Sequence, residues 1–276
     1  MKADLHLHST ASDGKLSPKE LVRQAAEDGL RVIALTDHDS VDGVPAALAA
    51  ALEFPSLEVI PGVEIGTDVP HGEVHIVGYF VDYKSELLLS RLESLRNGRQ
   101  DRAQRMIAKL RDLGIHIEWK RVQELAGEGS IGRPHIAQAM YEKGYISSLK
   151  EAFDKYIGRN GPAYAEREKL TPIEAVEFIV KASGLAVLAH PADIESKENL
   201  LHQLKDAGLV GMEVYYGNYS TETVHNLLAL ARKHGLIPCG GSDYHGLDAL
   251  NEAPIGGTDI PDESVERLFA LARSRP

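Results

Sequence analysis

A single cysteine, Cys239, is all this 276-residue chain carries, so no internal disulfide can form and a reducing compartment is its natural setting. No apolar run approaches the roughly 18 residues that a membrane span needs, so no membrane association is expected. The opening MKADLHLH lacks the long apolar stretch of a signal peptide and enters the fold directly, which makes a cytoplasmic location the expectation. Low-complexity tracts and internal repeats are missing too. CGGS at Cys239 is not followed by Lys and Ser or Thr, which excludes a phosphate-cradling P-loop. Nor does an arginine follow Cys239 at the spacing of a cysteine phosphatase loop; the sixth residue on is His245. Cys239 therefore reads as a buried strand residue.

What is present is an ordinary globular composition, 43% hydrophobic and 26% charged, in a length that suits one large domain or one domain with a sizeable insertion. The net charge of -11 argues by itself against nucleic acid, yet the charge is unevenly spread. Residues 84–169 hold 17 basic and 12 acidic side chains, whereas the rest of the chain holds 13 basic and 29 acidic. An acidic body with a basic insert is compatible with a merely solvated helical face. It also fits a basic lid over an acidic, metal-binding floor.

Short β-like runs alternate with helical segments. Strands are predicted at Ala3–His8, Val32–Asp37, Leu57–Glu64, Val74–Phe80, Leu185–His190, Val210–Tyr215 and Leu236–Ser242. Ser17-Pro18-Lys19-Glu20 is a capping box with proline at the first helical position, and it opens a helix ending at Gly29. Thr171-Pro172-Ile173-Glu174 repeats the device for a helix closing near Gly184. Strands alternating with helices predict parallel pairing, and seven of them predict an α/β barrel. Residues 84–169 break the alternation with helical patterns and only a weak strand signal at IHIEW. The expected organisation is a barrel of residues 1–83 and 170–276 with a helical, basic cap formed by 84–169.

The chemistry gathers at the strand ends. His6 and His8 lie two apart on one strand, so both imidazoles face the same way while Leu5 and Leu7 pack on the opposite face. Such a pair can ligate a divalent ion, although an isolated HxH is more often a packed or exposed pair. The other strands add His38 in ALTDHDS, Glu64 in PGVEIG, His75 in GEVHIVGY, His190 in AVLAHPAD, and Asp243 with His245 in CGGSDYHG. In barrel enzymes the C-terminal ends of the strands build the active site. With Asp13 from the loop after His8, nine candidate ligands collect there: His6, His8, Asp13, His38, Glu64, His75, His190, Asp243 and His245. That is too many for one tetrahedral ion and implies two or three divalent ions, with Glu64 as the natural bridge. Nitrogen and oxygen donors without thiolate suit manganese, zinc or iron. Paired ions about 3.5–4 Å apart clamp phosphoryl groups.

DLHLHS, TDHD, the isolated Glu64, HP at His190 and GSDYH together resemble the polymerase and histidinol phosphatase (PHP) family, over the whole chain outside the insertion. The resemblance implies a distorted (β/α)7 barrel with metal-dependent phosphoesterase activity, manganese being the first expectation for its ions. It implies one ion on His6, His8, Glu64 and Asp243, a second on Glu64, His75 and His190, and a third on Asp13, His38 and His245. Asp13 departs from the family, several members of which have histidine there. The order of motifs, with GRPHIA inside the insertion, resembles a subgroup that removes the 3′-phosphate from nucleoside 3′,5′-bisphosphates; some of its members also degrade short RNA from the 5′ end. On that reading Arg133 and His135 grip the non-reacting phosphate, because arginine recognises phosphate in bidentate fashion. The plainer reading of Arg133 is a surface residue at a helix start. Glu64, Asp243 and His245 are the expected catalytic residues, with metal-bound water, His245 or His135 open as proton donor.

Rival readings are a histidinol-phosphatase-like phosphomonoesterase, a non-catalytic metal module accessory to a polymerase, and a metal-dependent amidohydrolase. The last usually needs a carboxylated lysine on a barrel strand, for which the sequence has no obvious candidate. Nothing calls for an obligate protein partner; the expected partner is a small nucleotide with two phosphates, with short RNA as an extension. EVYYGNYS places Tyr216, Asn218 and Ser220 near the rim, where they would contact a nucleoside or simply pack. Trp119 reads as cap core. His71, His116, His202, His225 and His234 are expected off the rim.

Overall fold

Seven strands hydrogen-bond in chain order: β1 (Ala3–Leu7), β2 (Val32–Leu35), β3 (Glu58–Val69), β4 (Gly72–Tyr79), β5 (Leu185–Leu188), β6 (Leu209–Tyr216) and β7 (Ile237–Gly241). The computed structural model describes residues 2–69, 72–127, 129–166, 170–194, 197–247 and 252–275. Pairing is parallel except at β4, which runs antiparallel to both β3 and β5. This departs from the uniformly parallel expectation. The reason is local: the β3–β4 ladder extends to the Val69–Gly72 pair, so two residues connect the strands, and a connection that short can only reverse direction. It also explains why β3 outruns its predicted end at Glu64.

The sheet curls until β7 meets β1. Ser242 N donates to Asp4 Oδ1 at 2.9 Å, Asp243 N donates to His6 O at 3.0 Å, and His8 N donates to Tyr244 O at 3.1 Å. The backbones come so close that a Cβ on Gly241 would lie 2.4 Å from His6 N. The result is a nearly closed, distorted barrel.

Helices α1 (Pro18–Glu27), α2 (Val44–Ala51), α7 (Pro172–Lys181), α8 (Lys197–Asp206), α9 (Thr221–His234) and α10 (Asp262–Arg273) accompany the strands. Both capping boxes form: Ser17 and Thr171 each accept from the third helical backbone N–H while Glu20 and Glu174 reach back. Between β4 and α7 come α3 (Glu86–Asp112), α4 (Trp119–Ala126), α5 (Arg133–Glu142), α6 (Leu149–Ala152) and a π turn at Phe153–Ile157. The weak strand at IHIEW does not form; Ile115–Glu118 is irregular and leads into α4. Leu88, Leu92 and Leu95 of α3 join the barrel's apolar core. The rest of the block packs around its own core, including Met106, Leu110, Val122, Ile136 and Met140, with Trp119 against it. Cys239 is fully buried on β7, and burial pushes its thiol up out of the reactive range.

Candidate metal centre

β1 delivers His6 and His8 on one face, both fully buried. The chain then folds back sharply, because Gly14 lies against His8 O where a Cβ would sit at 2.2 Å, and this puts Asp13 beside His8. Asp37, just beyond β2, pins that loop. Its Oδ1 accepts from Ser9 N and Ser12 Oγ, both at 2.7 Å, and its Oδ2 accepts from Ser9 Oγ at 2.8 Å. His38 follows and bridges to Glu64 on β3. His75 lies in the first half of β4, and because that strand is reversed its start reaches the rim where the parallel strands end. His190 and Asp243 close the ring beyond β5 and β7 in left-handed backbone conformations, φ 26° and 56°.

Glu64 sits at the centre. Its Oε2 is 3.3 Å from His6 Nε2, 3.3 Å from His8 Nε2 and 3.0 Å from His38 Nδ1. Its Oε1 is 2.8 Å from His75 Nδ1 and 3.1 Å from His190 Nε2. Asp243 Oδ1 lies 3.3 Å from His6 Nε2 and 3.0 Å from His8 Nε2. His245 Nε2 lies 3.5 Å from Asp13 Oδ1. All nine predicted residues therefore come together.

The donor set passes a physical test for metal. His6 Nε2, both ring nitrogens of His8, Asp13 Oδ1, His38 Nδ1, Glu64 Oε2 and Asp243 Oδ1 are buried without a hydrogen bond of acceptable geometry. Buried polar atoms are rarely left so, because desolvation costs about 1–3 kcal/mol each. Their mutual spacings match ligands around a common ion: bonds of about 2.0–2.1 Å put neighbouring donors about 3.0–3.4 Å apart. By proximity the donors group as His6, His8, Glu64 and Asp243; as His38, Glu64 and His75; and as His8, Asp13, His38 and His245. His190 joins the second group through Glu64 Oε1, and its ring centroid is 4.9 Å from that of His75.

Electrostatics follow from this crowding. Burial raises the Glu64 carboxyl, but His38, His75 and His6 outweigh it and hold it well below the carboxylate range. Burial likewise opposes the shifts of Asp13 and Asp243, which neighbouring rings pull well down. Burial and the His245 ring push His8 down to about 3. His245 goes the other way: burial lowers it, yet Asp13 and Asp243 carry it to about 10.

Beside the metal donors lies a cavity of about 120 Å³ whose wall carries Arg99, Arg102 and Arg133 opposite Asp13, His38, His75 and His245. Arg99 Nε donates to Asp39 Oδ2 at 2.5 Å, and Glu73 holds Arg133 with Arg102 at 4.0 Å. Arg133 is thus on the cavity wall. His135 is buried behind it: its Nδ1 accepts from Gly132 N at 3.0 Å, and the charges of Asp13, Arg99 and His245 reach it. Tyr216 OH donates to Asp243 Oδ2 at 2.7 Å, whereas Ser220 is only the N-cap of α9. His116, His202, His225 and His234 lie off the rim; His71 is outside the described residues.

Arg99 and Arg102 are absent from the sequence reading, and so is Glu213. This fully buried carboxylate on β6 accepts from His6 Nδ1 at 2.9 Å and from His190 N at 2.8 Å. The spacing of Arg96, Arg99 and Arg102 along one helix was a signal, because three guanidiniums at i, i+3 and i+6 share one stripe of the helix. Glu213 stood between Met212 and Val214 in a strand, an isolated acid in an apolar run.

A PHP domain model matches residues 4–157 of this chain. The chain belongs to the PHP domain family. It is similar to a 3′,5′-nucleoside bisphosphate phosphatase of Chromobacterium violaceum, 34% identical over 252 residues, covering 88% of this PHP chain and 86% of the relative. It is 35% identical over 247 residues to the 5′-3′ exoribonuclease Rnm of Escherichia coli, covering 88% and 84% of the two chains. A phosphoribosyl 1,2-cyclic phosphate 1,2-diphosphodiesterase of Eggerthella lenta is 30% identical over 266 residues, 95% of this chain and 100% of the relative. Among solved structures, a Bifidobacterium adolescentis protein described as a metal-dependent phosphoesterase superposes with a TM-score of 0.88 at 29% identity, over 97% and 95% of the chains. A Chromobacterium violaceum structure described as an amidohydrolase, with sulfate bound and no metal, gives 0.89 at 33% identity over 98% and 96%.

Proposed function

We propose that this PHP enzyme removes the 3′-phosphate of nucleoside 3′,5′-bisphosphates in a divalent-metal-dependent hydrolysis. The observation that carries the reading is the pairing of a carboxylate–imidazole cluster with a wall of three arginines across one small cavity. A monoester needs one anion site; the arginine wall supports a second. The similarity to the Chromobacterium phosphatase supports the same substrate.

His6, His8, Asp13, His38, Glu64, His75, His190, Asp243 and His245 would hold two or three ions, with Glu64 donating one oxygen to each side. Manganese is compatible with this thiolate-free set of imidazoles and carboxylates, and zinc or iron are its competitors. When bound, the ions supply Lewis-acid polarisation of the phosphoryl oxygens and lower the pKa of water. The chain's own groups do the rest. Arg133, Arg99 and Arg102 take the non-reacting phosphate, held in position by Glu73 and Asp39. Arg99 meets Asp39 through Nε. With two ions held by the donors that share Glu64, His245, beside Asp13 and Asp243 at the edge of the cavity, would keep its proton and be the group suited to give it to the leaving 3′-oxygen. Burial disfavours a charge on His135, which backs the wall by packing at the start of α5. The helical block 84–169 acts as the cap that brings the arginines over the barrel. Short RNA degraded from its 5′ end is a second substrate, supported by the exoribonuclease relatives, and the cytoplasm is the compartment for both.

The test is phosphate release by manganese-loaded protein from adenosine 3′,5′-bisphosphate against adenosine 5′-monophosphate. Release from the bisphosphate alone is expected. Equal release from both, or from neither, overturns the assignment.

A further inference from the structure

A second cavity, about 360 Å³, opens on the other side of Asp243 and His245. Pro134, Phe153 and His245 line both cavities, so the two form one cleft with the metal donors at the junction. The halves differ in chemistry. The first is walled by guanidiniums, whereas the second adds Leu149, Leu247, Ala253 and the ring of Tyr216, with Asn218 and Glu252 as polar edges. The Tyr216 hydroxyl is tied to Asp243, so what it adds to the cavity wall is aromatic surface. Among the described residues no lysine or arginine lines this half, so a phosphate finds no cation there. A flat, weakly polar group suits it instead. The volume lies within the range of small-ligand pockets, roughly 300–1,000 Å³.

Phe153 is the wall between the halves. It opens the π turn Phe153–Ile157, a helix distortion frequent at functional sites. Gly158 N donates to Phe153 O at 3.0 Å, and a Cβ on Gly158 would lie 2.3 Å from that oxygen, so the turn is fixed by a residue that must be glycine. The Arg133 guanidinium lies over the ring, 5.5 Å from its centroid. One residue thus touches the cation of the phosphate half and the apolar space of the other.

We infer that this second cavity holds the nucleoside of the substrate, with the Phe153 ring as the platform on which the base stacks. The inference rests on the phosphoester-hydrolysing reading of the metal rim. It makes the cleft selective for a phosphate carried on a nucleoside over one carried on a bare sugar. Aromatic stacking of a base is sequence-tolerant, so purines and pyrimidines would both be accepted.

Product-like probes test this without turnover. Adenosine 5′-monophosphate and ribose 5-phosphate share the phosphate and the sugar and differ in the base. Calorimetry on manganese-loaded protein is expected to show the nucleotide binding at least about tenfold tighter, the order set by base stacking. In Phe153→Leu, which keeps an apolar side chain against the cap core, that advantage should shrink towards unity, and Phe153→Tyr should restore it. Equal affinities in the wild type, or a Phe153→Leu protein that weakens both ligands in the same proportion, would overturn the inference. Failure of the phosphatase reading looks different: the nucleotide would bind preferentially while adenosine 3′,5′-bisphosphate released no phosphate.

Discussion

Glu213→Gln isolates one atom's worth of chemistry beneath the metal centre. Glu213 is fully buried, and its two oxygens meet His6 Nδ1 at 2.9 Å and His190 N at 2.8 Å. A carboxylate accepts from both. It thereby fixes the His6 tautomer with the proton on Nδ1, leaving Nε2 as a lone pair towards Glu64 and Asp243, each at 3.3 Å. Glutamine has the same shape but one acceptor. If its oxygen keeps His190 N–H, its NH₂ faces His6 and favours the opposite tautomer, which turns Nε2 into a donor. If it keeps His6, two N–H groups confront each other at His190, where φ is already 26°. Glu213 and His6 are both fully buried, so bulk solvent does not compensate at that pair. Loss of such an orienting partner typically costs about 10–100-fold in metal affinity, or about 1.4–2.7 kcal/mol. Because only one ligand is affected, the expected loss is about one ion per chain, not all of them. Elemental analysis after dialysis at graded free manganese reads stoichiometry and affinity directly, with circular dichroism to check the fold. Wild-type stoichiometry and affinity in Glu213→Gln would refute the reasoning.

Gly241→Ala places a methyl where Cβ would lie 2.4 Å from both Cβ and N of His6, at the seam that closes the barrel. A cost of about 1–3 kcal/mol and a melting point several degrees lower are expected, and a melt within a degree of wild type would contradict the close approach. Arg133→Ala should lower kcat/KM for adenosine 3′,5′-bisphosphate about tenfold or more while moving that for adenosine 3′-monophosphate less than threefold; parallel losses would remove Arg133 from phosphate recognition. The metal-free protein carries a pH signature. Burial opposes it, but Asp13 and Asp243 raise His245 to about 10, and His6 is raised by Glu213, Asp243 and Glu64. A folded pKa above the unfolded value of about 6.5 contributes stability that is complete below pH 6.5 and lost as pH climbs towards 10. His8 and His75, shifted down, are already neutral in that window. Ligating rings must shed their protons, so the melting-temperature gap between loaded and metal-free protein should widen from pH 6.5 to 9. A constant gap would show that these rings are not ligands.

Seven of the nine candidate donors were legible because each obeys a local rule. His6 with His8 and Asp243 with His245 are i, i+2 pairs, and His38, Glu64 and His190 close predicted strands. The capping boxes at Ser17 and Thr171 were legible for the same reason, since a cap is a contact between residues three apart. Charge bookkeeping over residues 84–169 anticipated cations over an acidic floor.

Other features depend on contacts between distant residues, and no local pattern encodes those. The reversal of β4 turned a parallel prediction into a hairpin, and it is this reversal that carries His75 to the rim. Arg99 and Arg102 read as exposed helix arginines until packing buried them against Asp39 and Glu73, some 60 and 29 residues away in sequence. Glu213 meets His6 across 207 residues, an encounter created only by closing the barrel between β7 and β1. The sequence by itself therefore determined which side chains are candidate metal donors and which strand ends present most of them. Tertiary structure decided their partners, because tautomer, burial and charge balance at each donor are set by whatever the fold brings within about 3 Å of it.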